Sequence, residues 1–432
     1  MVEKLKWKAS SMKAQKFIYF YQNLYKFKNY KEKKCNKRMQ YDFIFNGGGV
    51  AALSLAMYMN ENLFFADKKI LIIESQKKDK NDKTFSFWTT DESFFEKIVH
   101  KQWKKIAFLH PKFEKNIDIF PYVYKTIRAI DFYQYCQNNL KKNKNITFLS
   151  TKSHIYGSTP SCAWVQTDAG NFEAQWLFNS VPNAGSTKKI IKKKPYHYYL
   201  QHFKGWIIHT KKDVFDVETA TFMDFRLPQK KGEASFMYLL PTSKNESLVE
   251  YTIFGQNIFT HEIYEAEIKN YIHNFLHLQE NEYEIKETEF GVIPMFDEPF
   301  VQKESSFVMN IGAAGGATKA STGYTFQNIQ KESQKIIASL MTNSTPFYAN
   351  SWLEKRFSLY DSMLLEVMQS QQLNGADIFQ MMFEKHLPTK IFRFLDNESN
   401  FLEELQIMAS VPSFPFVKAF FNLVQKGYFF KK

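Results

Sequence analysis

The stretch Tyr41-Asp42-Phe43-Ile44-Phe45-Asn46-Gly47-Gly48-Gly49-Val50-Ala51-Ala52 constrains this chain more than any other. An apolar strand runs through G-x-G-x-x-A into Leu53–Met59, which reads as an amphipathic helix. A second apolar strand, Lys69–Ile73, ends in Glu74, 25 residues after Gly49. This is the pattern of a dinucleotide-binding βαβ unit. Gly47 allows the tight turn, Gly49 lets the backbone approach a pyrophosphate, and Ala52 keeps the helix close to the sheet. The amides of Gly48, Val50 and Ala51 at the helix start would face the phosphates. Glu74 can accept the ribose hydroxyls, which favours FAD or NAD over NADP. No second βα unit follows at once; a charged segment, Lys77–Lys83, intervenes. That interruption suits FAD, whose domain is built from separated segments.

Glycine is scarce, 16 in all, and seven fall in two short windows. The second window begins after a buried-looking strand, Ser306–Ile311, and holds Gly312, Gly315, Gly316 and Gly323 before a helix from about Gln327 to Leu340. Strand, glycine loop and helix again form a nest of backbone amides, suited to the flavin and its ribityl-phosphate chain. A close helix–strand crossing needing small residues gives the same pattern.

The formal charge of +13 raises the possibility of nucleic acid, but residues 1–38 carry twelve basic residues against two acids and so account for +10 of it. The remaining body is nearly neutral, and no nucleic-acid partner is expected for it. The leader alternates Lys with aromatics. It reads as a membrane-surface segment, an RNA-binding tail, or a stretch ahead of a true start at Met39. It lacks the apolar run of a secretory signal. No stretch approaches the ~18 apolar residues of a membrane span. The three cysteines, Cys35, Cys136 and Cys162, sit at no CxxC spacing and read as reduced thiols of a cytoplasmic protein. No H-E-x-x-H or His/Cys cluster appears, so no metal is expected. G-x-S-x-G is absent as well.

Further short motifs follow in order: Lys83-Thr84-Phe85-Ser86-Phe87-Trp88, Tyr124–Tyr133, Met223-Asp224-Phe225-Arg226, Phe236–Pro241, Leu248-Val249-Glu250-Tyr251-Thr252 and Gly291-Val292-Ile293-Pro294-Met295. With the two glycine loops, they resemble the lycopene cyclases of carotenoid biosynthesis over about residues 39–425. Lys83 stands for the family's Arg, Phe85 for its Trp, and Asn179 where such flavoproteins carry Asp. Ala313 follows Gly312 where the wider fold has Gly-Asp. The resemblance implies a lycopene β-cyclase, closing ψ-end groups to β-ionone rings with reduced FAD, NAD(P)H as outside reductant and no net redox change. It implies lycopene or another acyclic carotenoid as partner, and a cytoplasmic protein peripheral on the inner face of the cell membrane. A flavin monooxygenase or reductase acting on a polyisoprenoid is the alternative.

Such chemistry needs a proton delivered to a terminal double bond and one removed from the closed ring, with a tertiary cation between. A dry pocket with one carboxyl group held protonated by desolvation meets that need. Glu250 lies on a period-2 strand with apolar neighbours, and the first acid of the plant members' F-L-E-E-T motif aligns with it. Phe401-Leu402-Glu403-Glu404-Leu405 copies that motif more literally, yet its apolar residues recur at helical spacing, so it reads as an exposed helical pair. Trp88, Phe87, Tyr238, Tyr324 and Phe326 are candidate channel-lining residues. Arg128, next to Asp131, can reach the flavin or form a surface ion pair.

The expected fold is α/β (α+β). A Rossmann-like FAD-binding domain would comprise 39–160 and 300–345, a β-rich substrate domain 161–299, and a helical C-terminal segment 346–432. The aromatic and basic stretch from Phe414 to Lys432 is the candidate membrane-docking face.

Overall fold

The computed structural model describes residues 40–181, 196–349 and 351–428. The basic leader, Met39 and residues 429–432 lie outside the described residues.

The fingerprint folds as expected. Strand β1 (Tyr41–Asn46) passes through the glycines into helix α1 (Val50–Asn60), and β2 (Ile70–Glu74) returns parallel to β1. Helix α1 is buried on nearly every side rather than amphipathic. It lies between α2 (Ala129–Leu140) and α4 (Phe326–Asn343), and such a helix needs no polar face. Around it packs a core of Phe45, Leu53, Met57, Phe132, Phe178 and Ile336.

Between α1 and α2 the chain lays down β3 (Thr84–Thr89), β4 (Lys101–Trp103), β5 (Lys105–His110), β6 (Phe113–Asp118) and β7 (Val123–Arg128). After α2 come β8 (Ile146–Ser150), β9 (Ser153–Ser158), β10 (Ala163–Thr167) and β11 (Gly170–Asn179). Next are β12 (Tyr198–Thr210), β13 (Thr219–Asp224), β14 (Ala234–Ser243), β15 (Glu246–Gly255), helix α3 (His261–Phe275) and β16 (Tyr283–Phe296). Strands β17 (Lys303–Ser305) and β18 (Val308–Asn310) lead to α4. Five helices end the described chain: α5 (Trp352–Gln369), α6 (Gly375–Lys385), α7 (Pro388–Leu395), α8 (Phe401–Met408) and α9 (Ser413–Gln425).

Three sheets organise these elements among the described residues. The nucleotide-binding sheet runs β17-β18-β11-β1-β2-β8, with β9 and β10 attached to β11. The large sheet runs β16-β12-β15-β14-β13-β5-β6, and the small one β3-β7-β4.

Two expected boundaries need correction. Residues 163–179, assigned from sequence to the substrate domain, belong to the nucleotide-binding sheet: β11 pairs parallel with both β1 and β18. Residues 105–118, assigned to the FAD domain, join the substrate sheet through β5, which pairs parallel with β13. The physical reason is the same in both cases. A period-2 pattern says that a strand has a buried face, not which sheet supplies the partner.

Cys136 is a buried free thiol. Cys162 is buried beside the Thr159 hydroxyl. Cys35 lies outside the described residues.

Candidate active site

The two glycine loops, more than 250 residues apart in sequence, meet at one place. Gly312 has φ +61°, and a Cβ there would stand 2.5 Å from Ala51 Cβ, so the second loop closes directly on the first turn of α1. Gly47 has φ +102° and faces Ser180 Oγ, where a Cβ would come within 2.4 Å. Both positions therefore require glycine on conformation and on space. The Gly48 amide donates to Glu74 Oε2 at 2.8 Å, which sets that carboxylate at the lip of the loop. The Gly312 amide donates to Glu332 Oε2 at 2.8 Å; burial lifts this α4 carboxyl to about 7. Gly315 and Gly316 pack against Asn310 O and the Phe300 ring with no room for a side chain.

Gly49 is different. A Cβ there meets nothing within 4 Å, and no side chain caps the N-terminus of α1 that follows. This is open space before unclaimed helix amides, a cradle that fits a pyrophosphate. Val50, Ala51 and the fully buried Ala52 form the first helical turn. Asn46, Asn179 and Asn310 stand side by side at the ends of β1, β11 and β18. Asn46 Nδ2 donates to Asn179 Oδ1 at 2.9 Å, and Asn179 Nδ2 to Asn310 Oδ1 at 2.8 Å. The amide at 179 thus serves as both acceptor and donor, which an Asp carboxylate could not.

Beyond the cradle, between it and the large sheet, lies a cleft that communicates with solvent. Phe85 and Phe326 border it from the nucleotide side, Tyr324 from the second loop, and Phe203, Tyr238 and Glu250 from the large sheet. Phe85 and Phe326 stack with centroids 5.6 Å apart, and the Tyr238 and Tyr324 hydroxyls are 3.2 Å apart. Gly323, at φ +73°, lets the loop press against Gln201. Of the other aromatic candidates, Phe87 stacks on Phe326 from behind and Trp88 packs edge-on to Tyr324 while donating to Asp396.

Glu250 projects from β15 and is only 8% exposed. Thr252 donates to its Oε1 at 2.8 Å. Burial first, and then the neighbouring Glu289, push its carboxyl well above the ordinary range, toward the protonated form. Glu289, on β16, was not singled out from sequence. Its surroundings Glu284, Lys286 and Glu287 read as a solvated strand face, and the signal for it is Gly205, the residue opposite it in register.

The remaining residues fall elsewhere. Arg128 ends β7 and pairs with Asp131 at 3.2 Å across the start of α2. Glu403 caps α8 and pairs with Arg393, away from the cleft. Glu404 corrects the expectation of an exposed pair: it is wholly buried, taking Arg356 Nη2 at 2.6 Å and the Tyr360 hydroxyl at 2.9 Å. The residue after a capping position turns inward, onto α5. Glu403→Gln should leave stability and activity near wild type. Glu404→Gln should cost about 3 kcal/mol of unfolding free energy, because it breaks a buried ion pair. Urea denaturation of the two variants checks the contrast.

Residues 42–420 match the family described as lycopene cyclase protein. The chain belongs to this family. The cyclase-family match covers the glycine cradle, the cleft and the C-terminal helices together. No curated protein matches the chain. Among solved structures it is similar to a geranylgeranyl bacteriochlorophyll reductase-like protein from Thermoplasma acidophilum, at 11% identity and TM-score 0.61, over 88% of this chain and 99% of that one. It is also similar to a flavoprotein/dehydrogenase from Cytophaga hutchinsonii, at 12% identity and TM-score 0.58, over 90% and 99%. A third is the flavin-dependent brominase Bmp2, at 13% identity and TM-score 0.55, over 91% and 100%. At these identities the likeness is one of fold. The fold is the mixed α/β, Rossmann-like fold of flavoproteins.

Proposed function

We propose that the protein is a lycopene β-cyclase, converting ψ-end groups of lycopene to β-ionone rings without net redox change. The observation that carries this reading is a buried carboxylic acid, Glu250, which burial biases toward its protonated form, in an aromatic cleft beside a dinucleotide cradle. Gly47–Ala52, Glu74 and the Gly312–Gly316 loop are the residues that would hold FAD. In its reduced form, with NAD(P)H as the outside reductant, the flavin would supply an electron-rich face near the developing cation.

The chain's own part is proton transfer and shielding. Glu250 donates its proton to the terminal double bond of the polyene, the ring closes, and a ring proton returns to the carboxylate. Phe203, Tyr238, Tyr324 and Phe326 present aromatic faces to the tertiary cation and keep out water that would trap it. The tyrosine hydroxyls stay neutral, because burial pushes Tyr238 and Tyr324 well above the normal phenol value. Production of cyclised pigment in a lycopene-accumulating bacterium, resolved by chromatography, tests the reading. Unchanged lycopene, or oxygen consumption tied to turnover, would favour the monooxygenase or reductase instead.

The substrate is a membrane lipid, and the C-terminal helices offer the surface to reach it. Phe401, Leu402 and Leu405 on α8 and Phe414, Val417 and Phe421 on α9 are all exposed. The two helices bend by 112°, and among the described residues no single helix is long and apolar enough to cross a membrane. Nearby Lys385, Lys390 and Lys418 add the charge that suits an anionic leaflet. Contact is thus proposed to be peripheral, on the inner face of the cell membrane. Phe414→Ser with Phe421→Ser should reduce co-flotation with anionic lipid vesicles by at least about tenfold, each ring giving up on the order of 1–2 kcal/mol of burial. Thermal unfolding should be unchanged, since α9 holds to α5 through Ala419 and Leu423, on its other face.

A further inference from the structure

The acid in the cleft has a partner. Glu250 on β15 and Glu289 on β16 both stand opposite Gly205 of β12, so two carboxyl side chains flank a residue that has none. A Cβ at Gly205 would lie 2.8 Å from Leu248 Cδ1 and 3.0 Å from Glu289 Cγ, and the space between the acids exists because that residue is glycine. Glu289 is 5% exposed, more deeply buried than Glu250. Each acid has one oxygen held by a hydroxyl. Thr252 donates to Glu250 Oε1, and Thr84 to Glu289 Oε2 at 2.9 Å. Glu289 Oε1 is buried with no hydrogen-bond partner, and the Glu289 charge acts on Glu250 across Gly205. Two anions buried on either side of one glycine repel each other, so the pair favours keeping one proton.

We propose that Glu289 is a positioning residue for ring closure: the pair holds one proton, with Glu250 as the acid and Glu289 as the anion that keeps it loaded. The inference rests on the cyclase reading for its substrate only. The proton passes from Glu250 to the less substituted carbon of the terminal double bond, whose π pair forms the new C–H bond and leaves a tertiary cation. The π pair of a second double bond then forms the ring-closing C–C bond and moves the cation into the ring. Two anions then face the cation. Loss of a ring proton to the pair restores its one-proton state, and the C–H electrons become the ring double bond.

The other groups facing the pair leave this division intact. Burial raises both acids, but the hydrogen bond from Thr84 and the charge of Lys83 favour the anion at Glu289, with Asp82 opposing. The phenols of Tyr124 and Tyr238, which face Glu250, are neutral through burial. Lys83 itself pairs with Asp82 at 3.1 Å.

The test is a pH series on purified protein, wild type against Glu289→Gln and Thr84→Val. The cyclisation rate of wild type should fall as pH rises through the pair's titration. Glu289→Gln removes the neighbouring charge, so that alkaline limb should move to lower pH by a unit or more, a loss of at least about tenfold above it and much less below. Thr84→Val removes the donor that stabilises the Glu289 anion, so its limb should move the opposite way. Infrared titration of the protonated carboxylic C=O band, absent in Glu250→Gln, follows the same proton without turnover. A limb and band that stay in place in both variants, or a loss equal at every pH, would overturn the proposal. Band shifts of the expected sign in a protein that makes no cyclised pigment would uphold the shared proton and sink the cyclase reading.

Discussion

Glu250→Gln is expected to lower ring closure by about 10²–10⁴-fold, the contribution typical of a general acid–base group, and to sit at the upper end of that range. The cleft holds no second proton source with Glu250's placement: its phenols are held neutral by burial, and Glu289 is the anion of the pair. An amide has the carboxyl group's shape but cannot give or take a proton at useful pH. The fold should survive, because burial already favours the neutral form of Glu250 and Gln is neutral and of the same shape. Stability itself should carry the signature. With its folded-state pKa raised above 4.5, Glu250 binds more protons folded than unfolded in that window. Native stability therefore declines as pH rises from about 4.5 toward the folded value, and Glu250→Gln should flatten that decline. Pigment analysis in a lycopene-producing strain, flavin content and urea midpoints at several pH values check the three statements. Cyclised pigment at a near-normal rate from Glu250→Gln would place the acid elsewhere.

What was legible in the sequence follows from how narrowly chemistry restricts each position. Gly47 and Gly312 take left-handed backbone where a side chain has no room, so their spacing survives as a readable pattern. Glu250 could be read because it aligns with the first acid of the family's motif; its neighbours Leu248, Val249 and Ile253 by themselves also suit a strand-face Glu that points to water. Glu289 could not, since a Glu in a strand with Glu284, Lys286 and Glu287 looks solvated until β12 is laid beside it. Glu404 misled for a related reason: helical spacing around Phe401 and Leu405 suggests a surface, whereas Arg356 comes from another helix, 48 residues away in sequence. The exchange of 105–118 and 163–179 between sheets is likewise a matter of partners, which a strand's own residues do not name.

Gly49→Val separates cofactor binding from folding in a way the other glycines cannot. At Gly47 and Gly312 a side chain meets Ser180 or Ala51 and demands a strained φ, so substitution there would damage the fold before it reported on a ligand. At Gly49 φ is −83°, which any residue adopts, and a Cβ finds nothing within 4 Å. The ligand-free protein should therefore tolerate Val with unfolding free energy within about 1 kcal/mol of wild type. The space that makes this substitution harmless is the space the pyrophosphate needs. Valine methyls in front of the α1 amides would hold the phosphates out of hydrogen-bonding range, and those amides provide the anion site. FAD affinity should fall by at least about 100-fold, some 2.7 kcal/mol. The purified variant should be colourless where wild type is yellow, and flavin fluorescence titration gives the affinity. A Gly49→Val protein that folds and keeps its FAD would show that the open space before α1 is not where the dinucleotide lies.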